Sequence, residues 1–421
     1  MQQMDESPQP STSVQPRDNV KWPFCNLNRF FLLDSVHQWS FMVENKIVEP
    51  AMTLSPSMLI ATLLSICYAV SAEALESTVE DIQRTTLLKA VSASSSFEIL
   101  KNGYLSFIQG VLKQGRECVR ISLSIWVPGE LPLENEYSVK VAQSIGGQVF
   151  RPRDITSAAL KTWAQGQLKE HDVKCEFPSV SPSQVVLLSI LRLSVVWERP
   201  FQHFERHTLI EDSQVRNLSI MVQRGAFHYY ECDDYQAICL PTLGPLECLF
   251  VLPTGSFGNL LKTLALDYKF LFQPMEGNKR QLVVKMPIFR VEEGDDLCAI
   301  LEQTLVFRRL LDVSSQCSNM TKARTHIHHI IHKVFARVNE KGINADGMSA
   351  TATGKALQVN KGDQVLEFSK DFIFLVRERA SCEILLVCRP CHPTSDNACL
   401  ESSSMLYMTW SDPEPITYSH L

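Results

Sequence analysis

A run of small residues interrupts the most strand-like part of the chain. Residues 338–359 read VNEKGINADGMSATATGKALQV, with three glycines, four alanines and no aromatic side chain. The flanking runs HKVFARV and DFIFLV have the apolar and β-branched composition of strands. A loop of this length inside a compact domain is uncommon, and an ordered one usually has a function. The fold must therefore accommodate a long connection of small residues at this point.

Helical periodicity is strongest in the first third of the chain, and strand patterns dominate from residue 120 onward. Helices are predicted for residues 58–72, 74–83, 95–114 and 157–171. Strands are predicted for residues 120–127, 183–197, 247–253, 280–291, 330–338, 367–378 and 382–388. This order predicts one large α+β domain. We expect it to span residues 22–393, with a disordered arm over 1–21 and a tail over 394–421 that has no assignment.

Composition excludes several classes of partner. The 421 residues carry a formal net charge of -6, so nucleic acid is not an expected partner. The longest apolar run is shorter than the roughly 20 residues of a membrane span. The polar N-terminus has no apolar central segment, so we expect no signal peptide and a cytoplasmic or non-classically secreted protein. The 13 cysteines are scattered and odd in number, which favours a reducing compartment. Two glycosylation triplets, at Asn217 and Asn319, point weakly the other way.

No recognised catalytic motif occurs, so the sequence predicts a protein that is not an enzyme and has no cofactor. The densest cluster of metal-ligand residue types is HIHHIIH, and on a strand its alternate histidines would share a face. Surface or hydrogen-bonded histidines are the simpler interpretation, and no metal site is predicted. The histidines concerned are His326, His328, His329 and His332. The run CEILLVCRPCHP lacks the second ligand pair of a zinc site and is interpreted in the same way.

Three segments carry a family resemblance. LSPSMLIATLL reads as a buried helix that opens with Ser-Pro, VVWERPF follows a long strand, and HKVFARVNEKG precedes the small-residue loop. Together, in this order, they resemble the serpin family of protease inhibitors over residues 22–393. The resemblance implies a large central β-sheet with further sheets and an exposed reactive loop. It also implies a metastable protein whose loop is cut by a protease and then enters the sheet as a strand.

Insertion into a packed sheet explains the small residues, because burying an unpaired charge costs several kcal/mol. Strand alternation turns one set of side chains inward, and none of them is charged. This set is Ile343, Ala345, Gly347, Ser349, Thr351 and Thr353. Asp346 is the only charge between Ile343 and Gly354, and it falls in the outward set.

Site residues follow from the resemblance by position. The family's usual hinge length, counted from Glu340, places the cut bond between Ala356 and Leu357, and a hinge one residue shorter moves it to Lys355 and Ala356. The implied target is a serine protease, elastase-like in the first case and trypsin-like in the second. The implied hinge comprises Glu340, Gly342, Ile343, Ala345, Gly347 and Ser349. The region where the sheet must part includes Ser55, Ser189 and His332.

Several positions depart from the family pattern. Ile343 replaces a usual Thr or Ser, Ser189 replaces Asn, and Met58 replaces Ser. A second function therefore stays open, that of a non-inhibitory serpin acting as a binding or chaperone-like protein. For either function we expect residues 334–340 to form a central strand and residues 342–363 to lie exposed at one pole.

Overall fold

A computed structural model gives the fold of the 421-residue chain. It describes residues 31–32, 52–71, 74–78, 80, 93–114, 118–168, 177–211, 214–275, 279–293, 296–302, 305–311, 317–345 and 362–390. The predicted arm over 1–21 and the predicted tail over 394–421 lie outside these residues.

Helix α1 (Pro56–Ala69) begins where the Ser-Pro pair predicts a helix start. Ser55 is the N-cap, and its hydroxyl accepts a hydrogen bond from Met58 N at 3.4 Å. Pro56 occupies the first helical position, where its missing N–H removes no intrahelical bond. Almost every side chain of the helix is buried, which requires protein on all sides of it.

A seven-stranded sheet contains the central strands. In spatial order it runs β3 (Gln148–Phe150), β2 (Val119–Trp126), β4 (Val185–Leu193), β12 (Ile327–Val338), β13 (Gly342–Ile343) and β5 (Val195–Val196), with β11 (Phe289–Glu293) also paired to β12. Residues 331–336 of β12 are buried on both faces. Strand β12 is therefore a central strand of the molecule.

A nine-stranded sheet forms the second layer. Its main path is β1 (Met52–Leu54), β16 (Ile384–Arg389), β15 (Ile373–Glu378), β9 (Leu246–Pro253), β8 (Tyr235–Pro241), β7 (Gln214–Glu231), β10 (Lys279–Pro287) and β14 (Val365–Glu367), and β6 (His203–Glu211) pairs with β7. Helix α1 touches both sheets: the hydroxyl of Ser57 donates to Ile384 O in β16, and Thr62 is hydrogen-bonded to His332 in β12.

The other helices pack around the sheets. They are α2 (Ala93–Gln114), α3 (Asn135–Ile145), α4 (Ser157–Leu168), α5 (Phe257–Leu266), α6 (Cys298–Leu301) and α7 (Leu305–Leu311). Leu160, Ala164 and Leu168 of α4 cover the face of the seven-stranded sheet that points away from α1. Among the described residues, no helix is both long enough and apolar enough to cross a bilayer.

The predicted α+β class is confirmed, whereas several predicted strand limits are wrong. The run predicted over 183–197 breaks at Ser194, and that over 367–378 breaks between β14 and β15. The run predicted over 280–291 breaks at Ile288, and its halves belong to different sheets. Apolar alternation continues through each break, so periodicity alone misses a strand that changes direction or sheet. Residues 339–340 form the turn after β12 rather than its end.

Candidate functional site

Strands β4 and β12 are parallel neighbours at the centre of the seven-stranded sheet. Their register runs from Ile327 opposite Val185 to Phe335 opposite Arg192, with a bulge between Ile327 and His329. We call this strand junction the seam. It is the line along which the sheet would have to part to admit another strand.

His332 and Ser189 face each other across the middle of the seam. The ring Nε2 of His332 is hydrogen-bonded to the hydroxyl of Thr62 in α1 at 3.1 Å. Burial without an acidic partner lowers the pKa of His332 to about 3, so the ring is neutral near pH 7. The hydroxyl of Ser189 is buried and has no hydrogen-bond partner among the described residues. The seam therefore has one bonded and one unbonded polar side chain at its centre.

Ser55, the third predicted residue of this region, lies at the start of helix α1. Its hydroxyl caps the first turn of α1. The partner of His332 is Thr62, seven residues further along the same helix. Residues seven apart lie on one face of a helix, so the spacing from Ser55 points to Thr62 only once that face is known to meet β12.

The turn after β12 is held by the VVWERPF segment. Trp197 Nε1 donates to Asn339 O at 2.9 Å, and Trp197 N donates to Lys341 O at 2.9 Å. Phe201 N donates to Glu340 O, also at 2.9 Å. The predicted hinge residue Glu340 is thus fixed through its backbone, and this motif forms the clamp on the start of the loop.

Strand β13 follows this turn and returns antiparallel to β12. Ile343 pairs with Val338 of β12 and, on its other side, with Val195 of β5. Because β11 pairs with the opposite edge of β12, β13 shares an edge with β4. The first residues of the loop therefore sit between the upper end of β12 and the continuation of β4. We call this position the mouth of the seam.

Gly342 is required at the mouth by its backbone and its surroundings. Its φ is +153°, and a Cβ atom at this position would lie 1.9 Å from Val195 O. Only glycine allows the chain to approach β5 so closely. The sequence predicts an exposed loop at this residue, whereas Gly342 is buried.

The expected exposure is wrong for the start of the loop as a whole. Ile343 and Ala345 are both 0% exposed, because β13 already lies inside the sheet. Asn344, between them, has φ +48° and four hydrogen bonds to β4 and β12. Its backbone N donates to Arg337 O at 2.8 Å, and Arg337 N donates to its side-chain Oδ1 at 2.8 Å.

The far end of the loop is attached to the nine-stranded sheet. Val283 N donates to Gln364 O at 2.9 Å, and Asp363 forms an ion pair with Arg224. The connection between the two anchored ends lies outside the described residues. It contains the predicted residues Gly347, Ser349, Lys355, Ala356 and Leu357.

Comparison with known families identifies the fold. The family model described as serpin (serine protease inhibitor) matches residues 40–393. The chain belongs to the serpin family.

Its similarity to individual serpins is low. Human serpin B12 is 24% identical over 246 residues, a match that covers 55% of this chain and 59% of that protein, so only a little over half of this relative's length is aligned. Chicken neuroserpin (Gallus gallus) is 22% identical over 342 residues, covering 74% of this chain and 82% of that protein.

Solved serpin structures superimpose over most of the chain. Human thyroxine-binding globulin gives a TM-score of 0.69 at 18% identity, covering 88% of this chain and 98% of that one. Mouse protein-Z dependent protease inhibitor gives a TM-score of 0.68 at 17% identity, and the match covers 90% of this chain and 100% of that one. At these identities the likeness shows the fold.

The histidine cluster of this serpin is divided among separate partners. His329 Nδ1 pairs with Asp296 at 2.5 Å, and its Nε2 is hydrogen-bonded to Gln184 at 3.0 Å. His328 Nδ1 accepts from Val185 N, and burial lowers the pKa of His328 to about 4. His332 lies at the seam. Within the described part of the chain, no group of three or more potential ligands converges on a metal position.

Proposed function

We propose that this serpin inhibits a protease by offering its loop for cleavage and then inserting the cut loop as a strand between β4 and β12. The observation that carries the proposal is the position of β13. Two residues of the loop, Gly342 and Ile343, already pair as a strand at the mouth of the seam. Insertion would continue an existing ladder rather than start a new one.

The strand lengths support full insertion. Strand β12 has 12 residues. Continuing the antiparallel register of Ile343 with Val338 would bring residue 354 opposite Ile327, where β12 begins. Lys355 and Ala356 would then lie just past the end of the strand. This placement supports a cut bond at Ala356–Leu357, with Lys355–Ala356 as the alternative.

The same register matches the polar residues of the loop with polar residues of the seam. Ser349 would come between Ser189 and His332, which already face each other. The buried hydroxyl of Ser189 would thereby gain a potential partner. A buried hydroxyl without a hydrogen bond costs about 1–3 kcal/mol, so satisfying it favours the inserted form.

The register would also place the one charged residue of the inserting segment, Asp346, next to a residue of opposite charge. Asp346 would lie opposite Arg192 of β4. Arg192 itself faces Arg120 across the β2–β4 pair, and like charges in this arrangement are destabilising. The Nε of Arg192 is also buried without a hydrogen-bond partner. A carboxylate at this point would offset the repulsion, so Asp346 is compatible with insertion.

Hydrogen bonding supplies the wider driving force. The seam is a parallel pair, which is slightly less stable per residue than an antiparallel pair. An inserted strand would be antiparallel to both neighbours and would replace one ladder with two. The uncut protein is therefore expected to be metastable.

The covalent step follows ordinary serine protease chemistry. The serine oxygen of the protease forms an ester with the carbonyl carbon of Ala356, the peptide bond to Leu357 breaks, and the leaving amine takes the proton. Inhibition requires that insertion of the loop be faster than hydrolysis of the ester. The protease remains attached if insertion of the loop pulls the ester out of the position in which the protease's catalytic site would hydrolyse it.

Mixing the protein with elastase-like and trypsin-like proteases tests the proposal. We expect a complex that survives denaturing electrophoresis and a cleaved form with a higher Tm than the uncut form. Cleavage that yields neither would reject inhibition.

A second candidate is a non-inhibitory serpin, and the bonding of Asn344 at the mouth favours it, because a bonded loop start resists further entry. Structural relatives include both a thyroxine-binding globulin and a protein-Z dependent protease inhibitor, so the fold is compatible with either function. For this candidate, the Tm would be unchanged after cleavage of the loop.

A further inference from the structure

The ladder between the loop and β12 begins normally and then stops at Asn344. In an antiparallel hydrogen-bonded pair, two residues exchange both backbone bonds. Asn344 N donates to Arg337 O, which is the first of the two. The second is missing from the backbone, because Arg337 N donates to the side-chain Oδ1 of Asn344. The side-chain Oδ1 of Asn344 has taken the place of that residue's own backbone carbonyl.

The backbone conformation of Asn344 explains this substitution. With φ at +48°, the residue is left-handed and its carbonyl turns away from β12. That carbonyl accepts instead from the hydroxyl of Ser194 at 3.4 Å. Asparagine is one of the few residues other than glycine that adopts this conformation readily.

The other end of the same side chain joins the two sides of the seam. Asn344 Nδ2 donates to Leu193 O of β4 at 2.7 Å and to Phe335 O of β12 at 3.3 Å. These carbonyls belong to strands that insertion must separate. A single amide group therefore bonds to both strands at the point where they would part first.

We propose that Asn344 is a clasp that holds the mouth of the seam closed in the uncut protein and must be released before the loop can insert. Release requires Asn344 to change from left-handed to extended backbone, with its side chain leaving both carbonyls. Its own carbonyl can then accept from Arg337 N, and the ladder continues. The rate of insertion would be set in part by this one residue. This inference rests on the proposed function.

Two substitutions distinguish the effect of the side-chain hydrogen bonds of Asn344 from the effect of its left-handed backbone conformation. Asn344→Gly removes the amide but keeps left-handed backbone without strain. Asn344→Ala removes the amide and also disfavours the left-handed conformation. The control is Asn319→Ala, which removes an asparagine bond to a carbonyl, Val70 O at 2.6 Å, away from the seam.

Hydrogen exchange of the uncut protein is the first measurement, because it does not depend on inhibition. We expect Asn344→Gly to speed exchange of the Arg337 amide by about tenfold, because that amide loses the Oδ1 acceptor that protects it. The control should leave that amide unchanged. Equal exchange in wild type and Asn344→Gly would overturn the clasp.

Uptake of a peptide with the sequence INADGMSATATG is the second measurement. We expect the uptake rate to rise in the order wild type, Asn344→Gly, Asn344→Ala. Measurable uptake at one common rate in all three proteins would overturn the clasp even if exchange changes. If no variant takes up the peptide and cleavage leaves the Tm unchanged, the proposed function is rejected, and the exchange result alone decides whether Asn344 closes the mouth.

Discussion

The ring Nε2 of His332 lies 3.1 Å from the hydroxyl of Thr62, and this bond ties the middle of the seam to the buried helix α1. Both residues are almost fully buried, at 6% and 0% exposure. Helix α1 also contacts the nine-stranded sheet through Ser57. Movement of β12 relative to α1 would therefore disturb a contact that links the two layers of the fold.

Thr62→Ala is expected to destabilise the uncut protein by about 1–3 kcal/mol, because it leaves a buried ring nitrogen without a partner. Thr62→Ser keeps the hydroxyl and should cost less. Denaturant unfolding of the uncut forms measures both. Equal stability of Thr62→Ala and wild type would show that the bond contributes nothing to the closed sheet.

Acid should weaken the closed form through His332. Its pKa is about 3 in the folded protein and about 6.5 in the unfolded chain, so the unfolded state binds more protons between these values. The contribution of neutral His332 to the free energy of unfolding is thus fully present above pH 6.5. It is lost as pH falls toward 3, by at most about 1.4 kcal/mol per pH unit.

His332→Asn removes this titratable group, so the unfolding free energy of the variant should decrease less steeply than that of the wild type as pH is lowered from 6 to 4. His328 has a pKa lowered to about 4 and acts in the same direction, so some slope will persist. Denaturant titrations at several pH values measure the slopes. An unchanged slope in the variant would mean that His332 does not titrate over this range.

Gly342→Ala should disrupt the mouth of the seam. The added Cβ would meet the backbone of Val195 at 1.9 Å, and β13 must shift to avoid it. We expect a loss of about 1–3 kcal/mol in the uncut protein, the usual cost of a side chain at such a position. Gly362→Ala is the matched control, because nothing lies within 4 Å of its Cβ. Equal effects of the two variants on Tm would contradict the assigned packing.

The sequence predicts the parts of this fold that have long, regular patterns. Helix α1 and strand β12 are found because their apolar runs are continuous and buried. Strands β6 and β7 are missed because their polar residues mask the alternation. The break at Ile288 is missed because the apolar pattern continues from one sheet into the other.

The site is predicted less completely than the fold. Ser189 and His332, which the sequence predicts by position, face each other across the seam, and their part in opening the sheet stays a prediction. Thr62 is missed because its role depends on which face of α1 meets β12. The burial of Ile343 and the bonding of Asn344 are missed because they depend on a left-handed backbone, which no periodicity in the sequence reports.

Charge reversal tests whether Asp346 meets Arg192 after insertion. In the cleaved form Asp346→Arg should destabilise the protein, and adding Arg192→Glu should recover the loss. Arg192→Glu alone also replaces the repulsion with Arg120 by an attraction, so the coupling energy rather than either single value is the readout. We expect a coupling of about 1 kcal/mol, at the upper end for cross-strand charge pairs. Denaturant unfolding of the cleaved proteins gives the double-mutant cycle. Arg290→Glu, on the outer strand β11, should couple to Asp346 more weakly, and equal coupling would reject the register.

The last prediction concerns the bond that is cut. If it is Ala356–Leu357, the protease's primary pocket receives a methyl group, which suits elastase-like enzymes because a large or charged pocket gains little from it. Ala356→Arg should then transfer complex formation to trypsin-like enzymes, whose pocket has a carboxylate at its base. If the bond is Lys355–Ala356, trypsin-like enzymes should react with the wild type, and Lys355→Ala should abolish that reaction. Mass spectrometry of the released fragment decides between them: an amino terminus at Leu357 supports the first bond, one at Ala356 supports the second, and cleavage confined to other positions rejects both.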